Sequence, residues 1–163
     1  MTTMRTSVRG LCTGALAAVL ASTVLVPAAR ADGTVTCSII EIEASTSDPP
    51  AMDGALKSLE KKLRKPPFSS WNNFKRLGTY SLALEPMKSG TLDLFHGKAS
   101  LILREVATGA GKKPRISLGV TLDDEAGKRV LDSKLSVDAG DYLVVGRSLP
   151  ANKGHLVALT CAP

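Results

Sequence analysis

The sequence predicts a mainly β domain, an antiparallel β-sandwich or open barrel with one amphipathic helix inserted after the first strand. Three observations lead there. From residue 80 onward apolar side chains recur at every second position, most plainly Ile116, Leu118, Val120 and Leu122 against Arg115, Ser117, Gly119 and Thr121, the period of a half-buried strand. The apolar runs are short and are separated at intervals of about 8–14 residues by Gly, Asn and Asp clusters, the spacing of an all-β chain with tight turns. Only one stretch, 51–65, shows the three- and four-residue spacing of a helix face.

The first 31 residues read as a secretory signal peptide. Arg5 and Arg9 provide a basic start, 15–26 an apolar run, and Ala29-Arg30-Ala31 a small-x-small exit that places the cut before Asp32. The apolar run is shorter than the ~20 residues a bilayer span requires, and no later segment is apolar for long enough, so no transmembrane segment is expected in the mature chain. Cys12 precedes the apolar run and leaves with the leader. The remaining 132 of the 163 residues are expected to form one domain, 32–163. An exported chain of this kind is expected in the periplasm or outside the cell. The absence of Asn-x-Ser/Thr acceptors and the Ala-rich leader fit bacterial export.

Within the domain, 35–43 (VTCSIIEIE) has the length and β-branched content of a strand. In 51–65, Met52, Ala55, Leu56, Leu59 and Leu63 gather on one helical face, with Asp48 or Asp53 as a cap and Pro66-Pro67 as the stop. The aromatic segment 68–74 follows, holding Phe68, Trp71 and Phe74, and reads as a packed anchor. Strands are then expected around 80–84, 92–94, 101–103, 116–122, 130–137, 142–145 and 156–161.

Cys37 and Cys161 remain as an even pair near the two ends of the domain, and in an oxidising compartment they are expected to form a disulfide that sets the first and last strands side by side or face to face. Two separately buried thiols are the other reading. No C-x-x-C is present to support a redox role.

No catalytic or metal signature accompanies this frame, and no cofactor is expected. His96 and His155 are the only histidines, and both read as exposed turn or strand-edge side chains without a motif around them. No G-x-S-x-G elbow occurs. Cys161 lacks the downstream ligands of a blue-copper site, and Asp123-Asp124-Glu125 lacks the alternation and glycine of a calcium loop and reads as a solvated turn.

One feature rises above this background. Lys57, Lys61, Lys62, Arg64, Lys65, Lys75 and Arg76 lie within twenty residues, opposed only by Glu60, whereas the rest of the mature chain is slightly acidic. Beside Trp71 they form a candidate binding surface for an anionic polymer or lipid headgroups, since cations attract phosphate and aromatics add apolar contact. Ordinary solubility is the leading explanation of an outward-facing row of lysines, with the aromatics buried against the sheet instead of presented. The run AMDGALKSLEKKLRKPPFSSWNNFKRL over 51–77, and loosely the β-rich half ending in GDYLVVG, resembles a group of uncharacterised exported bacterial proteins with an amphipathic helix, a Pro-Phe turn and an aromatic Asn-Phe-Lys-x-Leu segment. The resemblance implies no function and no site residues.

The expectation is therefore a non-enzymatic exported interaction or structural module whose partner is another envelope or extracellular protein. The alternative is an anion- or headgroup-binding protein acting through the basic helix, and a small secreted hydrolase ranks third. Nucleic acid is not expected as a partner of an exported domain.

Overall fold

The computed structural model describes residues 33–163, and the leader expected at 1–31 lies outside the described residues. Among the described residues, nine strands form two sheets. The first, in the order β2-β3-β1-β9-β8, comprises β1 (Val35–Ser45), β2 (Ala51–Met52), β3 (Asn73–Leu84), β8 (Leu143–Leu149) and β9 (Lys153–Ala162). The second is a meander of β4 (Ser89–Leu94), β5 (Gly97–Ala107), β6 (Arg115–Asp123) and β7 (Arg129–Asp138). Every pairing between these strands is antiparallel except the two-residue contact of β2 with β3, and an isolated parallel bridge joins Pro86 to Leu103. The sheets pack face to face as a sandwich, as the short alternating strands predict.

The alternation in β5 and β6 does what its period dictates. Ala99, Leu101 and Leu103, with Ile116, Leu118, Val120 and Leu122, are buried between the sheets, while their neighbours point outward. The central strands β1 and β9 are buried on both faces, because successive side chains point to opposite sides of a pleated strand. Val35, Cys37 and Ile39 with Val157, Leu159 and Cys161 enter the core between the sheets. Ile40, Ile42 and Ala44 with Leu156 and Ala158 enter a second core on the outer face of the first sheet.

Residues 54–63 cover that second core. The expected helix over 51–65 is shorter and tighter than its periodicity implies: Gly54–Leu59 is a 3₁₀ helix that passes into a single α-turn, α1 (Glu60–Leu63). Ala51 and Met52 belong instead to β2, where they extend the sheet beside Asn73 and Phe74. Asp53 caps the segment by accepting a hydrogen bond from the Ala55 N–H (2.9 Å). Leu56, Leu59 and Leu63 are fully buried, as expected, each contributing about 1.5–3 kcal/mol of apolar burial.

β3 begins at Asn73, inside the stretch read as an aromatic anchor. A register shift opposite Glu41 and Ile42 reverses its facing, so Phe74 packs into the outer core while Tyr80 and Leu84 serve the inner one. Cys37 and Cys161 are direct register partners on β1 and β9 and are joined by a disulfide, with their Cα atoms 4.1 Å apart. The first and last strands therefore lie side by side.

Candidate functional site

Two places on this frame concentrate polar chemistry. The first is the predicted cationic surface. Lys57, Lys61, Lys62, Arg64 and Lys65 on the 54–65 segment and Lys75 and Arg76 on β3 are all exposed. The reason is local: with Leu56, Leu59 and Leu63 turned to the sheet, the intervening positions face solvent. Arg64 donates to Glu60 over one turn at 2.7 Å. The other six cations take part in no ion pair among the described residues. Trp71, expected on this surface, is half-buried and turned toward the β8–β9 turn, where its indole N–H donates to the Asn152 carbonyl at 2.8 Å.

The second place is one that sequence reasoning missed. The inner face of the first sheet is apolar along most of its length and becomes charged at one end, on adjacent strands at the same level. On β1, Val35, Cys37 and Ile39 are followed by Glu41 and Glu43; on β9, Cys161, Leu159 and Val157 are followed by His155 and Lys153. Arg147 on β8 stands opposite His155, which stands opposite Glu43. The tight β4–β5 turn at 95–96 closes this end from the second sheet.

Glu41 is the hub. Its side chain is fully buried, and each of its oxygens accepts two hydrogen bonds. Oε1 receives the His155 Nε2–H (2.8 Å) and the His96 backbone N–H (3.1 Å), while Oε2 receives the Tyr80 hydroxyl (2.9 Å) and the Phe95 backbone N–H (2.9 Å). Burial by itself raises the carboxyl pKa, but these donors outweigh it and bring the group from 4.5 down to about 2. Burial, and donation to this carboxylate, in turn raise the Tyr80 phenol above 10.0. The ionised carboxylate only accepts, so the His155 proton toward it sits on Nε2.

His96 donates through Nδ1 to Glu125 of the β6–β7 turn at 3.0 Å, and its ring meets the His155 ring edge-on at 5.3 Å. Arg147 Nη2 donates to the His96 carbonyl at 3.3 Å. His96 Nε2, His155 Nδ1 and Arg147 Nε have no hydrogen-bond partner among the described residues. The expectation of two exposed histidines is thus overturned: His155 is 1% exposed, and the His96 side chain is 17% exposed. The signal was present in the strand period, since residue 155 shares the inward parity of Val157 and Leu159. Reading His155 as the edge of its strand concealed it.

The cluster works as a clasp between sheets. Glu41 lies on the first sheet and holds two backbone N–H groups of the second, so the β4–β5 turn is fixed while the Phe95 side chain remains 71% exposed. Gly97 completes the fit: its φ is +116°, and a Cβ there would come within 2.1 Å of the Asp123 carbonyl oxygen, so only glycine allows the two turns to pack.

Among the described residues, no group of three or more His, Cys, Asp or Glu side chains is arranged to hold a metal ion, and no helix is long and apolar enough to cross a membrane. No protein-family model matches the chain, and neither a curated protein nor a solved structure matches it.

Proposed function

We propose that this chain is an exported, non-enzymatic interaction module, and that its working surface is the cationic face formed by the 54–65 segment and the start of β3. The observation that carries this reading is six exposed cations, Lys57, Lys61, Lys62, Lys65, Lys75 and Arg76, left without an anionic side chain in a domain whose remaining charge leans acidic. Such a face favours an anionic partner through a Coulomb attraction that salt weakens. A binding role is also supported by the state of the buried cluster. The lone pairs of Glu41 are committed to four donors, and the unpartnered nitrogen of His155 lies where solvent barely reaches.

The partner of the first reading is another envelope or extracellular protein with an acidic surface. The same unpaired cations favour a second reading, in which the face rests on anionic lipid headgroups or an anionic polymer. Cosedimentation with phosphatidylglycerol-containing vesicles, beside pure phosphatidylcholine vesicles and chemical cross-linking in the exported fraction, separates them. Salt-sensitive binding to the anionic vesicles that disappears in the Lys61→Glu/Lys62→Glu/Lys65→Glu variant establishes the headgroup reading. A cross-linked protein partner lost in the same variant, with no vesicle binding, establishes the first. Partner and vesicle binding that both survive the triple reversal remove the cationic face from the function.

A further inference from the structure

On the same sheet, sharing Lys153 with the charged end described above, an open cleft of about 300 Å3 is bordered by Thr46, Ser70, Trp71, Ser148, Leu149, Asn152 and Lys153. Trp71, one of its borders, is closely seated. The six-membered ring of Trp71 lies against the backbone of Gly154, so closely that a methyl group at 154 would stand 2.7 Å from two ring atoms. Glycine is therefore what lets the indole settle onto β9. The indole N–H is tied to the Asn152 carbonyl, which fixes the ring's orientation.

The rim is equally fixed. Asn72, next to Trp71, exchanges three hydrogen bonds with 45–47: its backbone N–H donates to the Ser45 carbonyl, its side-chain amide donates to the Ser47 carbonyl, and its side-chain oxygen accepts from the Ser47 N–H. These bonds hold Thr46 beside the indole. On the other side Ala151 and Asn152 both adopt left-handed backbone conformations, with φ +59° and +54°, an arrangement that costs an alanine about 1 kcal/mol or more. The charge of Lys153 is matched by Glu43 at 3.3 Å. The cleft is thus bordered by an immobilised aromatic ring, the side chain of Leu149, three hydroxyl residues and an asparagine, with its one cation paired to Glu43.

The geometry points to a neutral saccharide as the ligand of this cleft. A sugar ring presents an apolar C–H face and a hydroxyl periphery, which match an aromatic platform ringed by hydroxyl and amide groups. An anion gains little here, because the lysine is already paired. This site is independent of the cationic face and does not share its partner.

Trp71 is the only tryptophan in the chain, so its fluorescence reports on this site alone. Titration of the folded protein with cellohexaose and with maltohexaose is expected to give a saturable emission change with at least one of them, with a Kd of ~0.1–1 mM. Ser70→Ala/Ser148→Ala, at two exposed positions, is expected to weaken that response about fivefold or more by removing hydrogen-bond partners. Gly154→Ala is expected to abolish it by lifting the ring. Lys61→Glu/Lys62→Glu/Lys65→Glu is expected to leave it unchanged, whatever becomes of the cationic face. No emission change with either oligosaccharide up to ~10 mM overturns the assignment. A response of equal strength in the double serine variant overturns it as well, since the cleft would then not be its source.

Discussion

Glu41 shows how one side chain can be read from the sequence in outline and missed in consequence. The run 35–43 is legible as a strand, and its odd positions are legible as one face, yet the expectation for a glutamate on that face is solvent. Burial of a carboxylate costs several kcal/mol unless its oxygens are satisfied, and the donors that satisfy Glu41 come from residues 80, 95, 96 and 155. No local pattern links those positions. Glu41→Gln keeps the shape but points N–H groups at N–H donors, and it is expected to lower stability by ~2–4 kcal/mol in urea denaturation. The carboxyl also has a pH signature. Its folded pKa of about 2 lies below its ordinary value of 4.5, so the stability it confers is present in full above pH 4.5 and is lost as the pH falls toward 2. Denaturation midpoints across that window should fall more steeply in the native protein than in Glu41→Gln; parallel curves would show that Glu41 is not ionised in the fold.

At the level of elements, the 51–65 segment separates what periodicity predicts from what geometry adds. The spacing of Leu56, Leu59 and Leu63 correctly marks the docking face, and Pro66-Pro67 the end. That spacing suits both a 3₁₀ and an α turn, so it does not decide between them, and a segment this short takes its form from the sheet beneath. Leu59→Ala is expected to cost ~2–5 kcal/mol by thermal or chemical unfolding, because the side chain is fully buried and the cavity cannot close against a rigid sheet. Lys61→Glu on the same segment should change the melting temperature little, since exposed charges contribute little to folding. The β3 bulge was not legible: the alternation 80, 82, 84 is clear in the sequence, but Phe74 has the same parity and a different core, and only the pairing with β1 reveals the extra residue.

For the whole molecule, the disulfide joins residues 124 apart in sequence and ties together strands already paired along their length. Its effect falls chiefly on the unfolded chain, which loses the freedom of a long loop. Cys37→Ala is expected to lower stability by ~2–5 kcal/mol, and a non-reduced digest of the native protein should yield the Cys37–Cys161 peptide pair by mass spectrometry. Two alkylatable thiols in that sample would contradict the fold's closure. N-terminal sequencing of the exported form is expected to begin at Asp32. A retained Met1 on exported protein would remove the leader and, with it, the argument for the compartment.

The sequence by itself determined the fold class, the strand series from β4 to β9, the docking face of 54–63 and the cysteine pair. All of these rest on local periodicity, turn residues or counting, which act within a few positions of the chain. It also located the cationic surface, because outward-facing charge follows from the same periodicity. The tertiary structure alone decided the clasp around Glu41 and the platform of Trp71 on Gly154. Each joins segments far apart in the chain that only the sheet order brings together: the strand period marks His155 as inward-facing, but it does not name Glu41, 114 positions away, as its partner, nor does it set Trp71 against the β8–β9 turn.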